Sequence, residues 1–103
     1  MRGPPVRLGG VDLWANAMDD LESRRRRARY RSWHRGTKEM DLLLGGFADR
    51  YVPTMDLDAL DEFERLIGLP DPDLYRIYRR ELALPAELSR PLLDLYMNFK
   101  IVK

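Results

Sequence analysis

Apolar side chains recur along this chain at α-helical spacing, in short segments separated by proline and glycine. The clearest segment is Met40, Leu43, Leu44 and Phe47, which follows the i, i+3, i+4, i+7 pattern of a buried helical face. No useful length of the chain alternates apolar and polar residues as a half-buried strand would. Because the connections between segments are short, neighbouring helices must fold back on each other. The sequence therefore predicts an all-α fold, a compact five-helix bundle.

The first two helices are predicted over about residues 21–35 and 37–51. The first range contains no proline or glycine, whereas the second carries Gly45 and Gly46 inside its apolar segment. Each glycine weakens an isolated helix by roughly 1 kcal/mol relative to alanine. Either another helix approaches these glycines closely, or the second helix ends early.

The last three helices have marked starts. Asp56 is expected to cap the third helix, which stops at Gly68. Asp71 is expected to cap the fourth, with proline as its first residue. The fifth segment opens at Pro85, and a proline inside a helix is disruptive, so we expect a short turn before Pro91 and the helix after it.

The predicted core and tail follow from the same pattern. Residues 1–20 hold several glycines and prolines and few apolar anchors, so we expect a mobile N-terminal tail followed by a helical domain over 21–103. We expect residues 101–103 to fray and the chain to be monomeric on its own. Outside the second helix, the side chains expected to be buried are Tyr30, Trp33, Leu57, Leu60, Phe63, Ile67, Leu74, Ile77, Tyr78, Leu82, Leu88, Leu92, Leu95, Tyr96 and Phe99.

Composition excludes several classes of site. With 103 residues, 45% hydrophobic and 34% charged, the chain has the profile of one small globular domain. It has no cysteine and a single histidine, His34, which excludes thiol chemistry and argues against a histidine metal site or catalytic triad. No apolar run reaches the ~18 residues of a membrane span, and no signal-peptide pattern is present. We expect no membrane insertion and a reducing, cytoplasmic location.

Charge is unevenly distributed, although the net charge is only +1. Residues 1–35 carry nine basic and four acidic residues, whereas residues 36–75 carry three basic and ten acidic ones. An arginine-rich first helix has two interpretations: binding to nucleic-acid phosphates with Tyr30 and Trp33 as stacking platforms, or pairing with the acidic middle of the same chain. The near-neutral total favours the second. The arginines concerned are Arg24, Arg25, Arg26, Arg27, Arg29, Arg31 and Arg35.

Acidic residues also cluster further along the chain. Their spacing does not match a Ca²⁺-binding loop, and it fits helix caps and an exposed helix face better than a cation site or paired catalytic carboxylates. These residues are Asp61, Glu62, Glu64, Asp71 and Asp73.

The connection between the first two helices has the pattern Arg35-Gly36-x-x-Glu39. A cation at a helix C-terminus and an anion in a helix first turn are each favoured by about 0.3–1 kcal/mol. Glycine at the joint permits a positive φ. From these residues alone, the pattern is a helix–turn–helix corner with suitable ends.

The segment WHRGTKEMDLLLGGFAD, with PDPDLYRIY further along, resembles a small family of assembly factors. These proteins promote covalent attachment of FAD to the flavoprotein subunit of succinate dehydrogenase and, in bacteria, of fumarate reductase. The family signature RG-x-x-E is matched by Arg35, Gly36 and Glu39, and the resemblance covers roughly residues 24–100. It implies a five-helix bundle, in agreement with the apolar pattern.

The resemblance further implies a maturation factor without catalytic residues, working in the bacterial cytoplasm or, in a eukaryote, the mitochondrial matrix. A bundle of this size has little core to give up for a pocket that encloses FAD, so we expect the flavin to stay in the partner flavoprotein. We expect Arg35, Gly36 and Glu39 to dock on that partner. The residues expected at the edge of the same surface are Arg31, His34, Thr37 and Asp41.

Overall fold

A computed structural model describes the backbone of residues 7–8 and 11–101, and the side chains of residues 20–101. Its five helices confirm the predicted all-α fold. They are α1 (Leu13–Trp33), α2 (Lys38–Tyr51), α3 (Leu57–Ile67), α4 (Asp71–Tyr78) and α5 (Arg90–Asn98). A 3-10 turn at Val52–Thr54 follows α2. Two-residue strands, β1 (Arg7–Leu8) and β2 (Val11–Asp12), pair antiparallel before α1.

The first helix is longer than predicted, because it begins at Leu13 rather than near Leu21. Residues 13–20 of the predicted tail therefore belong to α1. Residues 1–6 and 9–10 lie outside the described residues, as do Val102 and Lys103, so the mobility of the tail and the fraying of the last two residues stay predictions.

Polar caps set most of the remaining helix boundaries. The Asp56 carboxylate accepts from the Ala59 amide at 2.9 Å at the start of α3, and Gly68 ends that helix, as predicted. The prediction that Asp71 caps α4 is wrong, since Pro70 occupies the N-cap and Asp71 is the first helical residue. The Asp71 carboxylate is engaged elsewhere. Helix α5 begins after a turn, as expected.

The core lies between α2, α3, α4 and α5, with one face of α1 packed on α2 and α3. The predicted apolar face of α2 is confirmed. The fully buried large side chains include Leu43, Leu44, Phe47, Val52, Leu60, Phe63, Leu66, Ile67, Leu74, Ile77, Leu93 and Tyr96.

Three residues predicted to be buried are exposed. Tyr30 is 64% exposed, because α1 turns Ala28 and Ser32 inward instead. Leu57 is 49% exposed and Leu95 is 43% exposed. Both lie outside the buried face of their helix. Other apolar residues of α3 and α5 form that face.

Helices α1 and α2 approach closely at Gly45, which explains the first glycine of the pair. A Cβ atom on Gly45 would lie 2.2 Å from Cδ2 of Trp33, so the indole ring packs directly on the α2 backbone. The indole Nε1 also donates to Asp49 at 3.2 Å. Gly46 faces Phe99 less tightly, with a would-be Cβ distance of 3.2 Å. The contact between Trp33 and Gly45 holds α1 against α2 three residues before Gly36.

Candidate functional site

The corner between α1 and α2 exposes Gly36. Its φ is +112°, a conformation that residues with side chains rarely adopt. A Cβ atom built there would meet nothing within 4 Å. Glycine is therefore required by the backbone and not by crowding within the chain, and the space beside it is open to another molecule.

The Arg35 side chain turns into the protein. Its guanidinium donates to Asp71 Oδ1 from Nε at 2.9 Å and from Nη2 at 2.6 Å. It also donates to the carbonyl oxygens of Ile67 at 2.9 Å and Leu69 at 3.3 Å. Only 12% of the side chain is exposed. The expectation that Arg35 points outward to dock on the partner is therefore wrong for its guanidinium.

Arg35 joins two turns of the fold. The Ile67 carbonyl lies at the C-terminal end of α3, where a cation is favoured, and the Leu69 carbonyl lies in the turn after it. The carboxylate partner opens α4, where an anion is favoured. The guanidinium therefore locks the α1–α2 corner onto the α3–α4 turn. A charge-assisted pair with two donors to one carboxylate is among the stronger polar contacts in proteins.

Asp41 and Thr37 also stabilise the corner from within. Asp41 Oδ1 accepts from the Arg35 backbone amide at 2.6 Å, and the Thr37 hydroxyl accepts from the Met40 amide at 3.3 Å as the N-cap of α2. Asp41 is half-buried, whereas Thr37 is exposed.

Glu39 projects to the surface from the first turn of α2, as expected. Its Oε2 accepts from the Tyr75 hydroxyl at 3.1 Å, so a residue of α4 holds the carboxylate in place. The Arg79 guanidinium lies 5.6 Å from the centre of the Tyr75 ring. Beside Glu39, a solvent-open depression of about 490 Å³ is lined by Lys38, Glu39, Leu42 and Ile101.

Arg31 and His34 are exposed on the α1 side of the corner. The His34 ring stacks on Tyr30 with centroids 3.9 Å apart, and its Nδ1 donates to the Tyr30 carbonyl at 2.7 Å. The structure thus brings all seven predicted residues to one corner. Five of them are exposed, while Arg35 and Asp41 are used within the fold.

Sequence reasoning missed the roles of Asp71 and Tyr75. The sequence predicts a local cap at Asp71 because it precedes a proline, and nothing local indicates a partner 36 residues away. Tyr75 carries no signal of its own apart from its place in the segment PDPDLYRIY.

Three arginines of α1 form ion pairs within the chain. Arg24 binds Asp61 and also Glu64, at 2.9 Å, and Arg29 binds Asp49 at 3.2 Å. Hydrogen bonds to Glu64, the larger effect, and to Asp61 raise the pKa of the Arg24 guanidinium. Arg25 binds Glu22. Pairing with the acidic middle of the chain is therefore confirmed for Arg24 and Arg29, whereas Arg25 pairs with an acid of its own helix.

Four of the five clustered acidic residues are likewise engaged in structure, and the fifth, Asp73, lies in the first turn of α4. Asp61 and Glu64 hold Arg24, Glu62 accepts from Ser89 at 2.6 Å, and Asp71 holds Arg35. Across the described residues, no group of three or more histidine or acidic side chains is arranged to hold a metal ion. Within the same range, no helix is long and apolar enough to cross a membrane.

Comparison with known proteins gives a family over most of the chain. A family model described as "Flavinator of succinate dehydrogenase" matches residues 26–100. This range contains the whole corner, the α3–α4 turn and all the residues that bind Arg35. No solved structure matches the chain.

Curated relatives include bacterial and mitochondrial proteins. The "FAD assembly factor SdhE" of Acetobacter pasteurianus is 42% identical over 77 residues, which cover 75% of this chain and 71% of the relative. "Succinate dehydrogenase assembly factor 2, mitochondrial" of Debaryomyces hansenii is 35% identical over 85 residues, or 82% of this chain and 56% of the relative.

The protein of the same name from Saccharomyces cerevisiae is 34% identical over 85 residues. These cover 82% of this chain but only 49% of the relative, so the chain spans about half the length of its yeast relatives. The family model matches residues 26–100 of this chain, whatever the length of the relatives. The chain belongs to the family of succinate dehydrogenase flavinators.

Proposed function

We propose that this chain is an assembly factor that binds the flavoprotein subunit of succinate dehydrogenase and promotes covalent attachment of FAD. The family match over residues 26–100 carries this proposal. We extend it to the homologous subunit of fumarate reductase in bacteria. The names of the relatives, one a FAD assembly factor and others succinate dehydrogenase assembly factors, support the first part.

The docking surface in this proposal is centred on Gly36 and Glu39. The open space beside Gly36 allows a partner backbone to approach closely, and the exposed Glu39 carboxylate offers a charge-assisted hydrogen bond. Arg31, His34 and Thr37 border this surface. Arg35 and Asp41 act from behind it, because their polar atoms are already bonded within the chain.

The chemistry is proposed to take place in the partner. Covalent flavin attachment needs a proton lost from the flavin 8-methyl group and a nucleophilic side chain held close, which are tasks of orientation and preorganised charge. A binding protein accelerates such a reaction by favouring the conformation of the partner in which its own groups are aligned. No residue of this chain is assigned a catalytic role.

We further propose that the chain holds no FAD of its own. Cofactor sites enclose most of their ligand, and the fully buried positions here are filled by apolar side chains packed against each other. The depression beside Glu39 is open to solvent, and we assign it to the docking surface. A monomer in the bacterial cytoplasm, or in the mitochondrial matrix of a eukaryote, completes the proposal.

The test is coexpression of the flavoprotein subunit with and without this chain, followed by a denaturing gel read for flavin fluorescence. Wild-type chain is expected to raise covalent flavin, and Glu39→Ala to lower it with helix content unchanged by circular dichroism. No increase with the wild-type chain would overturn the proposed function itself.

A matched pair of variants isolates the docking role of Gly36. Gly36→Ala and Gly36→Leu carry the same backbone strain, on the order of 1–3 kcal/mol, because both impose a side chain at positive φ. A Cβ atom at this position meets no atom of the chain within 4 Å. At equal stability, a larger loss of covalent flavin with leucine than with alanine supports close approach of the partner at this point, whereas equal flavin in both variants contradicts it.

A further inference from the structure

One exposed face of α1 lies beside the proposed docking surface and shares only Arg31 with it. Arg26, Arg27, Tyr30 and Arg31 are exposed and line a shallow depression along the helix. We call these four residues the basic face. Among the side chains of residues 20–101, no carboxylate lies within salt-bridge distance of its three guanidinium groups.

The ion-paired arginines of the same helix show that guanidinium groups on α1 bind carboxylates. Arg24 binds Asp61 and Glu64 together, two carboxylates one helical turn apart on α3. Arg29 binds a third carboxylate, on α2. A planar guanidinium matches a carboxylate geometrically as well as by charge. The outward arginines offer the same chemistry without a partner in the described fold.

The length of the basic face favours a compact anionic partner. From residue 26 to residue 31 the helix rises only about 8 Å. Acidic side chains border it: Asp20 and Glu22 are exposed towards its N-terminal end, and Asp49 lines the adjoining depression. A nucleic acid or a lipid surface extends beyond these limits and meets the acidic residues, whereas two neighbouring carboxylates fit within them.

Tyr30 supports the same choice. One face of its ring is covered by His34, with centroids 3.9 Å apart, so the ring cannot be inserted between two stacked bases. The net charge of +1 also gives the molecule little long-range attraction for a polyanion.

We propose that the basic face binds a pair of neighbouring carboxylates on the surface of the flavoprotein subunit, as a contact additional to the Gly36 and Glu39 surface. This inference rests on the proposed function and names a chemical feature of the partner's surface. Exposed charges mainly accelerate encounter, and their effect is screened by salt. The basic face therefore governs how fast the complex forms more than how slowly it separates.

The experiment measures association and dissociation rates of the chain with the purified flavoprotein subunit, from about 0.02 M to about 0.3 M salt. Arg26→Glu/Arg27→Glu is compared with Arg50→Glu/Arg90→Glu, a control with the same change of net charge at exposed positions outside α1 and the corner. We expect the first variant to associate about tenfold more slowly at low salt, with a flatter salt dependence, and the control to change less than threefold.

The outcomes separate the two proposals. If the wild-type chain binds the flavoprotein and both variants associate at its rate, the basic face has no role and this inference alone fails. If the wild-type chain does not bind at all, the proposed function fails and takes this inference with it. Wild-type binding to single-stranded RNA or to phosphatidylglycerol vesicles that Arg26→Glu/Arg27→Glu abolishes, with unchanged association to the flavoprotein, would assign the face to another partner and overturn the inference.

Discussion

The Arg35 guanidinium reaches Asp71 across 36 residues of sequence, and the two donors that meet Asp71 Oδ1 lie 2.9 and 2.6 Å from it. This pair connects the first and second halves of the chain at the corner that carries Gly36. Of the three signature residues, Arg35 is thus the one whose side chain makes the most contacts within the fold.

Loss of either partner of this pair is expected to destabilise the protein. Removing one member of a mostly buried ion pair leaves the other without its counterion, which typically costs about 3–5 kcal/mol. We expect roughly 3 kcal/mol for Arg35→Ala, since Asp71 keeps some exposure, and a smaller loss for Arg35→Lys, which cannot place two donors on one carboxylate. Urea unfolding of both variants and of Asp71→Ala measures this.

The double variant Arg35→Ala/Asp71→Ala is the control for that pair. Because the two side chains share one interaction, the double variant is expected to lose less stability than the sum of the single losses. Additive losses would show that the contact itself contributes nothing.

The glycine pair of α2 provides a second prediction. Gly45→Ala places a methyl group 2.2 Å from the Trp33 ring, so overpacking of typically 1–3 kcal/mol is expected to outweigh the gain in helix propensity of about 1 kcal/mol. Gly46→Ala meets only the edge of Phe99, at 3.2 Å, and is the matched control with a smaller effect. Thermal unfolding followed by circular dichroism compares them, and equal midpoints would contradict the close approach.

Tyr75 is expected to influence partner binding through Glu39. Tyr75→Phe removes only a surface hydrogen bond, of about 0.5–1.5 kcal/mol, so the fold should be retained while affinity for the flavoprotein falls. The check is a double-mutant cycle with Glu39→Gln, in which the second substitution should add little to the first. Full additivity of the two effects on affinity would mean that Tyr75 acts independently of Glu39.

Stability is expected to fall at alkaline pH because of Tyr96. Burial, and next the neighbouring Tyr78, raise the pKa of the Tyr96 hydroxyl, which donates to the Leu74 carbonyl at 2.7 Å. The unfolded chain releases this proton near pH 10, whereas the folded chain keeps it. The stabilisation is complete below that pH and declines above it, by up to about 1.4 kcal/mol per pH unit.

Urea titrations between about pH 9 and 11.5 test this, with Tyr96→Phe as the comparison. The variant is less stable at neutral pH, because it lacks the hydrogen bond, but its stability should decline less steeply with pH. Parallel curves for the two proteins would assign the alkaline loss to other groups.

The sequence was sufficient for the features that depend on neighbouring residues. Helix α3 begins after Asp56 and ends at Gly68, as predicted. The apolar spacing of α2 correctly predicts its buried face. Cap chemistry and helical periodicity act within one or two turns, so they can be read from a short window.

What the sequence could not supply depends on contacts between distant segments. Tyr30 and Leu95 have the composition of core residues, but the arc of a helix that becomes buried is chosen by what packs on it. The direction of Arg35 is set by carbonyl groups and a carboxylate at the α3–α4 turn. Only the folded chain shows that the motif's glutamate faces outward while its arginine faces inward.

The anchoring of the corner on the α3–α4 turn has a consequence for quality control in the cell. A chain whose C-terminal half is still unfolded, or has been cut away, lacks both the carboxylate and the helix-end carbonyl groups that hold Arg35. Such a chain would display the signature residues in its sequence without their spatial arrangement. Under the proposed docking role, only a completely folded copy engages the flavoprotein, and incomplete copies do not compete for it.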